Sequence, residues 1–168
     1  DDKEKLKTGI AWLLTCRGIP QLYYGTEVLM KGATNPDGWV RLDFPGGWNG
    51  DKKSAFTKQG LTDDEKDVLS YTSVLANYRK NSSAIKTGRM MQYVPQDGLY
   101  VYFRYDGRQT IMCVMNTDGK AREIDFTKYA ERTKGFSSAK NITANTVYFT
   151  KDKMTIPAKR MWVLELQK

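Results

Sequence analysis

The chain has 168 residues, 40% of them hydrophobic and 12% aromatic, which is the composition of a folded globular protein and a length that fits either one large domain or one complete domain with part of another. No apolar run approaches the roughly 20 residues that cross a bilayer, and the complete absence of histidine excludes His-type zinc sites and every Ser-His or Cys-His nucleophile. The net charge of +8 is unevenly placed: residues 1–83 carry 12 basic and 11 acidic side chains, residues 84–168 carry 15 and 8. In the second half Asp97, Asp106, Asp118, Glu123, Asp125 and Glu131 interrupt the excess, so it reads as a solvated surface ahead of a phosphate-binding groove. A nucleic-acid partner and a membrane partner are not expected.

The chain opens Asp-Asp-Lys-Glu, without Met, basic leader or apolar leader, and runs directly into a helical pattern, so a continuation upstream is expected. From Lys3 to Arg17 the apolar Leu6, Ile10, Leu13 and Leu14 recur at helical spacing, and Gly18 supplies a stop. Ile19-Pro20-Gln21-Leu22-Tyr23-Tyr24, bounded by Gly18 and Gly25, predicts a short buried strand with Pro at its first position. Helix, glycine turn and buried strand together make an αβ unit of a parallel sheet. Residues 25–60 have no sustained period and predict a long ordered loop, the kind that usually serves function.

Thr62 and Glu65 form a capping box with acids in the first helical turn, predicting a helix to about Lys80 that buries Val68, Leu69, Thr72, Leu75 and Tyr78. Beyond Ser83 the period changes to two. Strand-like runs fall at 90–94, 99–105, 110–115, 122–124, 141–143, 146–149, 154–156 and 161–166, the early ones separated by Asp97-Gly98, Asp106-Gly107 and Asp118-Gly119 at hairpin spacing. Such a series indicates an antiparallel sandwich or barrel, with a domain boundary near residues 81–87. Cys16 and Cys113 lie in different elements without metal-ligand neighbours and are expected to be buried free thiols.

Two segments resemble a known family. Gly18-Ile19-Pro20-Gln21-Leu22-Tyr23-Tyr24-Gly25-Thr26-Glu27 resembles the G-x-P-x-x-Y-Y-G-x-E segment at the eighth barrel strand of α-amylase-type glycoside hydrolases, in particular the neopullulanase and cyclomaltodextrinase group. Trp39-Val40-Arg41-Leu42-Asp43-Phe44-Pro45-Gly46-Gly47-Trp48 is similar to the R-x-D-F-P-G-G-W loop of starch-degrading members. The resemblance implies an α+β carboxy-terminal fragment: residues 1–83 as the terminal αβα portion of a (β/α)8 TIM barrel with its long loop, and 84–168 as an antiparallel all-β sandwich. It further implies a retaining scheme whose three carboxylates sit at the ends of strands four, five and seven. By that alignment this chain starts after strand seven, so it holds no catalytic residue, and Glu27 and Asp43 do not inherit the role.

The loop leaving Tyr24 would emerge at the catalytic face of such a barrel. Tyr24, Glu27, Trp39, Arg41, Asp43 and Trp48 are therefore the candidate substrate-binding residues, with indoles to cover pyranose faces and charged groups to bind hydroxyls. Each has a structural alternative: Glu27 and Arg41 as an ion pair pinning the loop, Trp39 and Trp48 as its internal packing, Tyr23 as barrel core. The implied partners are an α-glucan or maltodextrin and the missing upstream barrel. No cofactor is expected in this chain, with calcium left open for a complete enzyme. Rival readings are a free-standing carbohydrate-binding or structural β-sandwich and, more weakly, a basic nucleic-acid-binding domain.

Overall fold

The computed structural model describes residues 3–168, which fold as two compact units: the residues up to Pro20 together with Val74–Lys168, and Gln21–Ser73. The first unit is an α+β assembly built on antiparallel strands. Helix α1 spans Lys3–Thr15 and helix α2 spans Asp63–Asn81, its residues from Val74 onward belonging to this unit, followed by the short helix α3 at Ser83–Lys86. Strands β1 (Arg89–Gln92), β2 (Leu99–Tyr105), β3 (Thr110–Asn116), β4 (Arg122–Asp125), β5 (Ser138–Asn141), β6 (Val147–Phe149), β7 (Lys153–Ile156) and β8 (Arg160–Gln167) complete it, with a short helix α4 at Ala130–Thr133. Six strands form one sheet in the order β1-β2-β3-β8-β5-β6, while β4 and β7 pair in a second, two-stranded sheet. All of these pairings are antiparallel.

The core lies between the two sheets. Val101 and Phe103 of β2, Met112 and Val114 of β3, and Leu164 and Leu166 of β8 meet Ile124 and Phe126 from the β4 side and Met154 and Ile156 of β7. The register puts Phe103, Met112 and Leu164 side by side, so one face of three strands presents a continuous apolar row. The opposite face is buried as well: Tyr102, Cys113 and Val163 are aligned and fully enclosed. Helix α1 packs along β8 on this unit and buries Ile10, Ala11 and Leu14.

What fixes α1 is polar. Its last carbonyls have no intrahelical partner. Arg104, 2% exposed in the middle of β2, donates from Nη1 to the carbonyls of Thr15 (3.0 Å) and Cys16 (2.9 Å), and from Nη2 to Gly88 (3.1 Å). Arg79 of α2 donates to Leu14 (2.9 Å) and Gly18 (2.7 Å). The Thr15 hydroxyl donates to the Ala11 carbonyl at 2.6 Å, which leaves Tyr102 as the donor in the 2.5 Å contact between their hydroxyls. A second polar set ties α2 and α3 to the sheet. Ser82 caps α3 through the Ile85 amide and reaches Gln109 at 2.5 Å, and the Gln109 amide donates to Tyr78 (3.1 Å) and Glu165 (2.6 Å).

Several sequence expectations need correction here. Residues 19–24 form no strand, Tyr24 already lies in a turn, and Ile19 is 97% exposed rather than buried. A strand requires at least one ladder partner, and among the described residues this segment has none. The barrel part of the expected fold class is therefore not formed by this chain's own residues. Asp118-Gly119 joins strands of different sheets rather than a hairpin. The strand expected at 141–143 ends at Asn141, whose side-chain oxygen accepts from the amides of Thr143 and Ala144 and so turns the chain. Cys16 is half-buried and Cys113 fully buried, its thiol pushed up to about 12 by desolvation and thus inert at neutral pH.

Replacing Arg104 by Met should leave three backbone carbonyls in the interior without their donors. The expected cost is roughly 3 kcal/mol, the upper range for loss of charge-assisted bonds to buried groups. Arg104→Lys should recover little of it, because an ammonium lacks the planar fork that reaches three oxygens at once. Urea unfolding of the two variants checks this, and a loss below about 1 kcal/mol for Arg104→Met would contradict it.

Candidate functional site

All six candidate residues lie in the second unit, Gln21–Ser73. Its apolar centre is small: Val28, Ala55 and Leu61 are buried, with Met30, Phe44 and Leu69 against them. Order in the long loop therefore comes largely from local polar contacts. Gly25, at φ 85, opens a 3-10 turn at Thr26–Val28. A second 3-10 turn covers Asp37–Val40. The two segments are latched together by the tyrosine pair, Tyr24 donating to the Leu42 carbonyl at 2.9 Å and Tyr23 to Val40 at 3.4 Å. Gly32 permits this closure, because a Cβ there would stand 2.1 Å from the Trp39 carbonyl oxygen.

Further along, Asp51 accepts from the amides of Gly46 (2.8 Å) and Trp48 (3.2 Å) and shapes the Pro45-Gly46-Gly47-Trp48 turn. Backbone bonds from Ala55 to Pro45 and from Ser54 to Gln59 close the rest. The start of α2 is capped as expected: the Glu65 amide donates to Thr62 Oγ1 at 3.2 Å and the Thr62 amide to Glu65 Oε2 at 2.7 Å. Lys53 adds a 2.8 Å ion pair to the same Glu65 and so anchors the loop on the helix.

Tyr23, Tyr24, Trp39 and Leu42 surround a notch of about 110 Å³. That is below the roughly 300–1,000 Å³ of small-molecule clefts, so the notch can seat an edge of a ligand but not enclose one. Tyr24 and Trp39 are thus brought together, whereas Glu27, Arg41, Asp43 and Trp48 lie outside the notch lining. The Tyr24 phenol is held above its ordinary value by desolvation first and by the neighbouring Tyr23 next, so it stays a neutral donor.

The expected ion pair between Glu27 and Arg41 is replaced by another. Arg41 pairs with Asp37, which the 3-10 turn sets four residues before it. One carboxylate oxygen of Glu27, Oε2, is buried without a hydrogen-bond partner. Nor do the indoles pack inside the loop: Trp39 is 59% and Trp48 68% exposed, and Phe56 is exposed as well. Sequence reasoning missed Asp37, Asp51 and Leu42. The four-residue spacing of Asp37 and Arg41 was a usable signal, while Asp51 acts through a turn that no periodicity marks. Among the described residues no three or more Cys, Asp or Glu side chains gather as a metal site would require. No helix among them is long and apolar enough to cross a membrane.

Comparison with known proteins gives this architecture a class. Residues 90–165 match the cyclo-malto-dextrinase C-terminal domain. The whole assembly resembles an α-amylase from Geobacillus thermoleovorans solved with acarbose, at a TM-score of 0.75 and 16% identity over 100% of this chain and 34% of that one. It also resembles a debranching enzyme of Nostoc punctiforme, at a TM-score of 0.63 and 19% identity over 97% and 29%. At those identities the likeness is one of fold. Among curated sequences, a cyclomaltodextrin glucanotransferase of Niallia circulans is 25% identical over 169 residues, 96% of this chain and 21% of the relative. Another, of Klebsiella oxytoca, is 30% identical over 124 residues, 73% and 17%. The eight-stranded part is thus an amylase-type C-terminal β domain. The chain that carries it resembles α-amylase-family proteins along nearly its whole length, and it spans about a fifth of the length of those curated relatives.

The Lys53 hydrogen bond to Glu65, followed by those from Thr62, holds the Glu65 carboxyl below the ordinary glutamate value of about 4.3 against an opposing desolvation. A depressed folded-state value means the contribution is complete above the unfolded value and fades as pH falls through the folded one. Acidification from about pH 6 to about pH 3 should therefore loosen the start of α2 and the Lys53 anchor, and Glu65→Gln should lose that part of the pH response. Amide exchange at residues 62–66 against pH measures it; identical profiles for variant and parent would refute the assignment.

Proposed function

We propose that this chain is the carboxy-terminal part of a retaining α-amylase-type glycoside hydrolase that acts on α-1,4-linked glucans, maltodextrins or cyclodextrins, with α-1,6 branches as further substrates. Residues 1–83 then supply the last helices and eighth strand of its (β/α)8 barrel, and residues 84–168 its C-terminal domain. The observation that carries the reading is the match of residues 90–165 to a C-terminal domain named for cyclo-malto-dextrinases. The names of the relatives, cyclomaltodextrin glucanotransferases and an α-amylase, support the same substrate class.

In this reading the loop from Gly25 to Trp48 forms one wall of the glucan cleft. Its exposed indoles and phenols offer flat apolar faces to pyranose rings, and Arg41, Asp37 and Asp43 offer charged hydrogen-bonding groups to hydroxyls. The nucleophile, the acid that protonates the leaving oxygen and the third carboxylate come from upstream strand ends. Segment 19–24 gains its ladder partners from the neighbouring barrel strands, which is consistent with the exposure of Ile19, Tyr23 and Tyr24 here.

The 168-residue chain alone should not hydrolyse soluble starch or cyclodextrin. In the complete enzyme, Trp48→Ala and Arg41→Ala should each raise KM by about three- to tenfold with a smaller fall in kcat, the pattern of contacts equal in ground and transition states. Steady-state kinetics together with thermal melting separate this from structure. Parental KM at both positions would remove the cleft-wall role, and a large drop in Tm would assign the residue to loop order. Turnover by the fragment that survives replacement of both Glu27 and Asp43 would overturn the placement of the catalytic acids upstream.

A further inference from the structure

The loop that carries Trp48 also carries a chemically labile side chain. Of the seven asparagines in the chain, Asn49 alone is followed by glycine. An asparagine carboxamide is open to attack by the backbone nitrogen of the next residue, which places asparagine among the thermolabile side chains. A side chain on the following residue obstructs that approach, and a hydrogen bond from its amide holds the nitrogen away. Gly50 has no Cβ, and nothing lies within 4 Å of where one would stand. Both residues are exposed, at the centre of a turn that the Asp51 amide closes on the Trp48 carbonyl at 3.3 Å. The neighbouring amides are taken, those of Gly46 and Trp48 by the Asp51 carboxylate, whereas the Gly50 amide has no hydrogen-bond partner among the described residues. The peptide between Asn49 and Gly50 must swing to bring its nitrogen under the carboxamide, and neither helix nor strand holds it back.

The other asparagines are restrained. Asn35 precedes Pro36, whose nitrogen has no proton to lose. Asn77 lies inside α2, and Asn81 ends that helix with its side chain donating to the Asn77 carbonyl at 3.0 Å. Asn116 and Asn141 are fully buried, and the Ile142 amide after Asn141 donates to Val163 at 3.0 Å. Asn145 is followed by the β-branched Thr146, which crowds the approach.

We propose that Asn49 is a site of spontaneous deamidation whose products release the Asp51 clamp on the turn from Gly46 to Trp48. The Gly50 amide nitrogen bonds to Asn49 Cγ, the Cγ–Nδ2 bond breaks, and Nδ2 leaves as ammonia with the proton that the amide gives up. A cyclic imide remains, and water opens it. Cleavage at Cγ leaves an ordinary aspartate at position 49. Cleavage at the main-chain carbonyl leaves an iso-aspartate, whose backbone runs through Cβ and Cγ and is longer by one methylene. Either product sets a new carboxylate two residues from Asp51, and like charges so close repel. The iso form also lengthens the chain between Trp48 and Asp51, the span across which the clamp closes. The inference does not depend on the function proposed above.

Storage of the 168-residue chain in neutral buffer made with ¹⁸O water, followed by peptide mapping with mass spectrometry, tests it. The peptide holding residue 49 should exchange its amide for a labelled carboxyl about tenfold faster than any other asparagine peptide, and should split into an aspartate and an iso-aspartate species. Amide exchange at Gly46 and Trp48 in the stored protein should quicken about tenfold as the clamp is released. Asn49→Asp, which supplies the charge without the longer backbone, should quicken it less. Asn49→Gln, whose attack would have to close a larger ring, should stay unlabelled and keep the parental exchange. Labelling spread evenly over the asparagines would overturn the proposal, as would an Asn49 that survives in the folded chain while the same chain in urea loses it. Unchanged exchange at Gly46 and Trp48 in the modified protein would overturn the release of the clamp.

Discussion

The carboxyl end of α1 is the point on which the first unit depends. A helix that covers a sheet must end somewhere, and its last carbonyls then face the same low-dielectric interior that its apolar side chains seek. Here the chain stops the helix at Thr15 and supplies two guanidinium groups from different elements, Arg104 from β2 and Arg79 from α2, which between them bind the carbonyls of Leu14, Thr15, Cys16 and Gly18. A buried cation without a carboxylate is normally costly, and burial together with the charge of Arg79 does disfavour the charged form of Arg104. The helix end offsets this, because its carbonyls carry the negative pole of the macrodipole. One arrangement thus satisfies the helix end, gives both terminal nitrogens of Arg104 acceptors while its Nε stays buried without one, and joins α1 to the sheet.

That arrangement also explains why β2, β3 and β8 can be buried on both faces. With α1 seated, the row Tyr102, Cys113 and Val163 is closed off from water while Phe103, Met112 and Leu164 face the small sheet. Strands enclosed on both sides read as near-continuous apolar runs, as LYVYFRY and TIMCVMN do. The sequence pattern therefore reveals the strands readily, and the eight expected runs match the eight observed with shifts of a few residues. It says less about what covers them. Nothing in the alternation of β2 distinguishes Arg104 from a solvent-facing arginine, since its burial depends on a helix end nearly ninety residues earlier. The same limit applies to residues 19–24, whose composition is that of a buried strand although the partners that would make it one are not among the residues described here.

In the second unit the capping box at Thr62 and Glu65 was legible because it is local, both halves lying within four residues. The loop residues were legible as a set and not as contacts. Arg41 was expected to meet Glu27, and instead meets Asp37, because a single 3-10 turn brings the latter into reach at no cost in chain ordering beyond the turn itself. Choosing between two acids required the turn, and Gly38 and Pro36 mark a bend there without specifying its type.

The balance between burial and exposure in this loop bears on its role. The buried apolar residues Val28, Ala55, Leu61 and Val68 are a small core for more than fifty residues, and the remaining order rests on side-chain to backbone bonds from Tyr23, Tyr24, Asp51 and Glu65. A loop stabilised in this way gains little by keeping large rings in water, yet Trp39, Trp48 and Phe56 are all left there. Single exposed rings are ordinary, and Phe56 still packs edge to face on Phe44 with ring centroids 5.7 Å apart. The tethers hold the backbone from within and leave the two indoles more than half exposed. Polar bonds thus supply the order of this unit, and the exposed indoles supply the apolar faces on which the proposed cleft wall rests.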